Sequence, residues 1–385
     1  MTDLPECRDG LARSMEQRGA WPERSPWLRA AVTALPRDLF APARLWRWDG
    51  RAYVPVDRGV DSAGWIGELY RDQDAAAVTQ VTAGLPTCSL SAQAVVVDML
   101  DSLLLEPGHR VLDLGTGAGW NAALAAWRAG PKRVTTVEVD PALAEAARAS
   151  LQAAGLDVAC EVANGTTGLP GGRFDRIIAT YAVERIPFAW VESCVPGGRI
   201  VTPWGRLGHV ALTVADDGAS ASGWVQGLAQ FMPDRSEPGA GPDFAQVRGD
   251  APADTARPLH RDLTALRADW NLRFAARVAA PDVRITTALD EDGTSAWLHD
   301  GAASWAVLSA AAGGPGTVHQ GGPRRLADEL ENAWQQWEQL GGPTPYDYGM
   351  TVRPDGQFVW LNDPDTGPRW PAAPEHQQAR ALQSG

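Results

Sequence analysis

Three glycines alternate in the segment VLDLGTGAGW. Gly115, Gly117 and Gly119 follow Asp113, and Glu138 stands 23 residues after Gly115. A backbone that bare, at the carboxyl end of a strand, lets a ligand lie against the peptide groups themselves. The dinucleotide fingerprint G-x-G-x-x-G requires a glycine at its sixth position, where this chain has Trp120, so a pyrophosphate-bearing cofactor fits poorly. An acid closing the next strand can accept hydrogen bonds from both hydroxyls of a ribose. Loop and acid together point to an adenosyl ligand without a pyrophosphate. S-adenosyl-L-methionine meets that description, with S-adenosyl-L-homocysteine as the product left after methyl transfer. The competing reading, a glycine turn that only packs strand against helix, leaves Asp113 and Glu138 without a reason.

The elements that must hold these residues alternate. RVLDLG reads as a buried strand, NAALAAWRAG as a helix closed by Gly130, and RVTTVEVD as the next strand. PALAEAARASLQAAG is a helix with proline at its start and glycine at its end. DVACEVA and FDRIIAT are further strands, FAWVESCV a helix, and PGGRIVTPWG a turn and a strand. Strand alternating with helix predicts an α/β fold, a parallel sheet with helices on both faces. Upstream, PWLRAAVTALP reads as a short amphipathic helix and the rest of residues 20–60 as irregular chain rich in Pro, Arg and Trp. SAQAVVVDMLDSLLL is a helix that Ser89 or Ser91 can cap.

The rhythm fades after Arg235. Residues 236–258 are rich in Pro, Gly and acids and read as a linker. Beyond them come a helix over Asp262–Trp270, hairpins at DEDGTS and RPDGQ, and an amphipathic helix with Leu326, Leu330, Trp334 and Trp337 on one face. The expected organisation is a first domain over 1–235 (segment 1–88, core 89–235), the linker, and a smaller C-terminal α+β domain over 259–385. Trp334 and Trp337 are assigned to that domain's core rather than to a binding face.

Charge narrows the partners. The net charge is −13 and no Lys/Arg cluster stands out, which argues against a nucleic-acid partner. The most apolar run, AQAVVVDMLDSLLLEP, is interrupted by Asp98 and Asp101, so no membrane span is expected. Cys7, Cys88, Cys160 and Cys194 are dispersed and unmatched by histidine at ligand spacing, the pattern of reduced thiols in the cytoplasm without a structural metal. The start, MTDLPECRDG, lacks the pattern of a secretion signal.

Six segments fall in the order and spacing of one family: SLSAQ, VLDLGTGAG, TTVEVD, NGTTG, FDRIIAT and PGGRIVTPWG, preceded by LPRDLFAP. Over residues 25–235 the chain resembles the protein-L-isoaspartate O-methyltransferases. The resemblance implies the Rossmann-like sheet of class I S-adenosylmethionine-dependent methyltransferases. It places cofactor contacts on Asp113, Gly115, Thr116, Gly117 and Glu138, and adenine contacts on Asn164 and Gly165, where asparagine replaces the family's aspartate. The family's substrate serine falls on Ser91, with Ser89 in place of its threonine and Gln93 in place of its proline. GWNAALAA, RIIATYAVERIPFAWV and YGMTVRPDGQFVWLNDP further resemble the branch encoded beside ribosomal peptide natural products (graspetides, lanthipeptides, lasso peptides). That branch implies, as substrate, a modified precursor peptide containing the target Asp, with the C-terminal domain helping to hold it.

The implied reaction esterifies a carboxylate. With a solution pKa near ~4 the acceptor is already ionised at neutral pH, so alignment and exclusion of water matter more than a general base. The ester can then close to an aspartimide and open to isoaspartate. Ser91 is open to two roles, helix cap or substrate contact. Thr180, at the carboxyl end of a strand, is assigned with Ser91 to the reacting end of the site. Asn121 can face the cofactor or cap a helix. Three outcomes stay in play: a peptide-specific Asp methyltransferase, a general isoaspartyl repair methyltransferase, and a non-catalytic peptide-binding scaffold, the last disfavoured by the intact loop.

Overall fold

The computed structural model describes residues 3–205, 208–235, 241–291, 293–310 and 316–372. The chain divides into two compact units, the first comprising 1–236 with 352–354 and the second 237–351 with 355–385.

The first unit opens with helices α1 (Leu4–Gln17) and α2 (Trp27–Ala34). Strands β1 (Arg44–Trp48) and β2 (Tyr53–Asp57) follow, then α3 (Ser62–Leu69), β3 (Ala77–Thr82) and β4 (Leu85–Leu90). The stretch expected to be irregular is therefore an antiparallel sheet ordered β2-β1-β3-β4. Alternation explains it: Leu45, Val56, Ala77 and Leu90 are buried in the core while their chain neighbours turn outward.

The central sheet is built from β5 (Val111–Leu114), β6 (Val134–Glu138), β7 (Ala159–Val162), β8 (Phe174–Ala179), β9 (Cys194–Trp204), β10 (Gly208–Val214) and β11 (Ala221–Leu228). Within this unit these strands are ordered β11-β10-β9-β8-β5-β6-β7. The five strands β9, β8, β5, β6 and β7 pair in parallel. The sheet is not parallel throughout, because β10 and β11 add as an antiparallel meander. Strand order reverses between β5 and β8, so the crevice beyond their carboxyl ends is the ligand position of such sheets. Helices α4 (Gln93–Ser102), α5 (Trp120–Ala129), α6 (Pro141–Ala153) and α7 (Phe188–Ser193) complete the unit. Asp140 caps α6 through Ala142 N and Leu143 N, with Pro141 at its first turn. α4 begins after Ala92 without a side-chain cap, so neither Ser89 nor Ser91 serves as one.

The second unit is built on a five-stranded antiparallel sheet: β12 (Thr255–Leu259), β13 (Arg284–Asp290), β14 (Gly293–His299), β15 (Trp305–Ser309) and β16 (Gly316–Gly321), in the order β12-β16-β15-β14-β13. Residues 241–258, expected as linker, carry helix α8 (Phe244–Arg248), fixed by the Asp243/Gln246 capping box, and most of β12. Residues 236–240 lie outside the described residues. The helix expected over Asp262–Trp270 is α9 (Leu263–Ala268), capped by Asp262; Asp269 ends it and caps a further helix, α10 (Trp270–Ala279). With α11 (Leu326–Gln339) they enclose a separate core of Leu263, Leu266, Leu298, Leu308, Leu326 and Trp334, against which Trp337 packs. Among the described residues, no helix is long and apolar enough to cross a membrane.

Candidate active site

β5 ends where the chain must turn sharply. Gly115 (φ +91°) and Gly117 (φ +52°) take left-handed conformations that a side chain would strain. Gly115 N and Thr116 N both donate to the Val137 carbonyl of β6, at 2.9 and 3.1 Å, and Thr116 Oγ1 lies 2.7 Å from Thr136 Oγ1. Glu138 is held just beyond. Its Oε2 accepts from Gly117 N at 2.9 Å and its Oε1 from Asp140 N at 3.1 Å. Each carboxylate oxygen keeps a further lone pair, which is what a pair of ribose hydroxyls requires.

Asp113 lies beneath the loop with no solvent exposure. Its Oδ1 accepts from Asn121 Nδ2 at 2.5 Å and its Oδ2 from Thr136 Oγ1 at 2.6 Å. Burial raises its pKa to about 6 against the opposing pull of these two hydrogen bonds, with the Glu138 charge adding to the rise. Asn121 thus serves Asp113, and is neither a cap nor a free polar group. Both residues brace the loop from below.

On the β8 side, Thr180 Oγ1 donates to the Gly115 carbonyl at 2.6 Å, so the hydroxyl expected at the reacting end holds the loop. Tyr181, which no local spacing singles out, fills the space beside it. A Cβ on Gly115 would lie 2.8 Å from Thr180 Oγ1 and 2.9 Å from the Tyr181 ring; one on Gly165 would lie 2.5 Å from the Tyr181 hydroxyl. That hydroxyl is buried without a hydrogen-bond partner, and burial pushes its pKa above the usual phenol range. Trp190 Nε1 donates to the Gly165 carbonyl at 2.7 Å. Asn164 bends back on its own turn, where Oδ1 accepts from Thr166 N and Thr166 Oγ1 at 2.8 and 2.6 Å. The acceptor oxygen expected to meet an adenine amino group is already engaged.

The serine segment approaches from β4. Cys88 Sγ would stand 3.4 Å from a Cβ on Gly117. Arg235 donates to the Thr87 carbonyl and sets Nη1 4.0 Å from Glu138 Oε1 and 3.8 Å from Asp140 Oδ2. Ser89 and Ser91, both half-buried, are thereby anchored next to the glycine loop. Behind them sits Arg37, fully buried. Its Nη2 donates to the carbonyls of Leu90 (3.1 Å) and Ser91 (3.0 Å), and its guanidinium lies 5.5 Å from the Trp120 ring. Nε and Nη1 find no partner, and burial lowers its pKa to about 10. Trp120 Nε1 in turn donates to the Leu35 carbonyl at 2.8 Å. The residue that excluded a dinucleotide therefore joins α5 to the Arg37 segment.

One His–Asp pair does occur in this unit. His209 Nε2 lies 3.7 Å from Asp98 Oδ2, on β10 and α4. The ring is fully buried, and burial lowers its pKa to about 4. A ring kept neutral and closed off from solvent is no candidate for a general base at this site.

Residues 56–231 match the family profile "Protein-L-isoaspartate(D-aspartate) O-methyltransferase (PCMT)". The protein-L-isoaspartate O-methyltransferase of Methanocella arvoryzae is 35% identical over 148 residues, 38% of this chain and 79% of the relative. The Archaeoglobus fulgidus protein-L-isoaspartate O-methyltransferase 2 is 35% identical over 166 residues, 42% of this chain and 74% of the relative. The chain belongs to the protein-L-isoaspartate O-methyltransferase family. The Methylorubrum populi member is 40% identical over 125 residues, 32% of this chain but only 58% of its own length. The chain thus spans little more than half of that curated relative. A solved structure named protein-L-isoaspartate O-methyltransferase matches with a TM-score of 0.51 at 18% identity, covering 92% of this chain and 100% of that one. The fold is that of the class I S-adenosylmethionine-dependent methyltransferases.

The family's cofactor, S-adenosylmethionine, can be tested against the residues present. Glu138 retains free lone pairs, the bare loop at Gly115 and Gly117 exposes backbone rather than side chain, and the buried Tyr181 hydroxyl lacks a partner. The donor and acceptor set fits an adenosyl group.

Proposed function

We propose that this protein is a carboxyl O-methyltransferase that uses S-adenosylmethionine to esterify isoaspartyl residues in proteins and peptides. The observation that carries the reading is the glycine loop braced by Asp113 and fixed to Glu138, with the Ser89–Ser91 segment anchored beside it by Arg235 and Arg37. When bound, S-adenosylmethionine supplies an electrophilic methyl group. Glu138 would accept from its ribose hydroxyls, and the glycine loop's backbone would lie against it. Ser91 Oγ, which caps no helix, is the candidate donor to the acceptor carboxylate. It orients one oxygen and offsets the loss of water around the anion. No general base is required, since the acceptor is ionised at neutral pH. Esterification turns the carboxylate into a carbonyl with a methoxy leaving group. The following backbone nitrogen attacks it, loses its proton and expels methanol, closing a succinimide.

A narrower reading keeps an ordinary Asp of a cyclised ribosomal peptide as the acceptor. It rests on the second unit, which has its own sheet and core and so offers a surface of its own for a folded substrate. In either case the cytoplasm is the proposed site of action. A competition experiment separates the two. The full chain with S-adenosylmethionine is given equal amounts of a linear isoaspartyl peptide, its normal aspartyl twin and a side-chain-cyclised peptide bearing normal Asp. The repair reading expects methyl ester on the first alone; ester confined to the cyclised peptide transfers the assignment to the narrower reading.

A further inference from the structure

A buried cation stands behind the serine segment without a carboxylate of its own. Arg37 has no solvent exposure, its Nε and Nη1 find no hydrogen-bond partner, and among the described residues no carboxylate pairs with it. Asp38, next to it in the chain, is turned elsewhere: Oδ1 accepts from Arg8 Nε at 2.8 Å and from the Tyr70 hydroxyl at 2.5 Å. The Trp120 ring, 5.5 Å from the guanidinium, offsets the charge only in part. Burial lowers the pKa to about 10, so the group stays charged at neutral pH. An arginine this buried ordinarily has a paired acid. Here its partners are two neutral carbonyls, those of Leu90 and Ser91.

A second positive source meets the same turn. α4 is 10 residues long and opens after Ala92 with no side-chain cap and no acid in its first turn. Ala94 N donates to the carbonyl of Gln73 at 3.1 Å, again a neutral partner. The partial positive charge of the helix N-terminus is thus left uncompensated by side chains. Ser91 sits between that helix end and the buried guanidinium, in a chain of net charge −13. The neighbouring glycine loop is flanked by Asp113 and Glu138, two carboxylates that repel an incoming anion.

We propose that Arg37 and the α4 N-terminus form a positive receptor that selects the ionised carboxylate of the substrate at Ser91. Arg37 is a positioning residue: it touches no substrate, and acts through the turn it holds and through its field. The inference deepens the proposed function and rests on it for the identity of the acceptor. The field keeps the acceptor in its anionic, nucleophilic form and discriminates against an amide of the same shape. Over roughly 8–12 Å, at an effective dielectric constant of about 20, one unit charge favours an opposite one by about 10- to 30-fold. That preference answers how an anionic substrate settles in an anionic protein.

The test measures fluorescence anisotropy of two labelled peptides on the full chain saturated with S-adenosylhomocysteine. One carries an isoaspartyl residue; its twin carries a carboxamide in place of the free carboxylate. The inference expects the parent to prefer the carboxylate by about tenfold or more, and Arg37→Met to lose about tenfold of that preference. Arg37→Lys, which keeps the charge but not the planar fork, should recover most of it. If Arg37→Met weakens both peptides alike, the residue is only a brace for the turn and the inference is overturned. A parent that binds neither peptide, or both equally, overturns it too. One measurement needs no variant: raising salt from about 0.05 M to about 0.5 M should leave the parent's preference within about twofold, because a buried charge is little screened. A preference that salt abolishes counts against the inference. The cofactor's own carboxylate is the other anion of the site, and calorimetry separates it. The preference for S-adenosylhomocysteine over 5′-methylthioadenosine, which lacks the amino-acid end, should be the same in the parent and Arg37→Met. A loss there would assign the charge to the cofactor and overturn the inference. Methyl transfer is scored separately. A carboxylate preference that depends on Arg37, without turnover, retains the receptor and loses the proposed function; turnover by a chain whose preference ignores Arg37 does the reverse.

Discussion

Replacing Arg37 with methionine separates positioning from stability. Arg37 makes two hydrogen bonds, to the carbonyls of Leu90 and Ser91. Leaving two buried acceptors unpaired costs about 1–3 kcal/mol each. Against that stands the cost of keeping the guanidinium charged with Nε and Nη1 unpartnered. Its fall from the ordinary 12.5 to about 10 corresponds to ~3 kcal/mol, which methionine recovers while filling a similar space. The two effects nearly offset, so the variant should unfold within ~2 kcal/mol of the parent in urea. What does not offset is the freedom given to the Leu90–Ser91 turn. A misplacement of about 1 Å at a reacting group costs about 100-fold, so kcat/KM for an isoaspartyl peptide should fall by about 10- to 100-fold. Affinity for S-adenosylhomocysteine by calorimetry should stay within about threefold, since the fixed loop and Glu138 do not touch Arg37's two carbonyls. A variant with parental kcat/KM, or one that loses cofactor affinity in step with activity, refutes the reasoning.

Other perturbations follow from the loop. Glu138→Gln removes the charge that ribose hydroxyls would meet, and should weaken cofactor binding by about 10- to 100-fold in calorimetry. Gly165→Ala sets a Cβ 2.5 Å from the Tyr181 hydroxyl; it should abolish cofactor binding, and pairing it with Tyr181→Phe should restore part of it. Asp113 has a pKa raised to about 6 from 3.8. The folded state therefore favours its protonated form, and that stabilisation is full below pH 4 and lost as pH rises through about 6. Against Asp113→Asn, the parent's first unit should lose stability by up to ~3 kcal/mol across this window, as read from urea melts; parallel profiles would remove the assigned shift.

Much of the central sheet is legible in the sequence because its signals are local. Strands of four to six apolar residues, glycine and proline at helix ends, and an acid at a fixed distance from the loop need no partner to be recognised. The antiparallel edge is not legible, since β10 and β11 differ from parallel strands only in their connection. The β1–β2 hairpin is hidden by Pro55, which is tolerated because β2 lies at the sheet edge, and by arginines that make its alternation look irregular. Two functional assignments shift for reasons of distance. Arg37 finds its carbonyl partners 53 and 54 residues away, and Thr180 meets Gly115 from 65 residues away. Neither contact leaves a trace in local spacing. Tyr181, the neighbour of an expected site residue, becomes visible only when its hydroxyl proves to be buried without a partner.

The most direct test follows the methyl group. The full chain is incubated with S-adenosylmethionine labelled on its methyl and a linear isoaspartyl peptide, and the product is exposed to mild base. The account predicts label on the peptide in an ester that base releases as labelled methanol, with succinimide left behind. Label in a base-stable linkage, or an unlabelled peptide beside a protein that binds the cofactor, would contradict it.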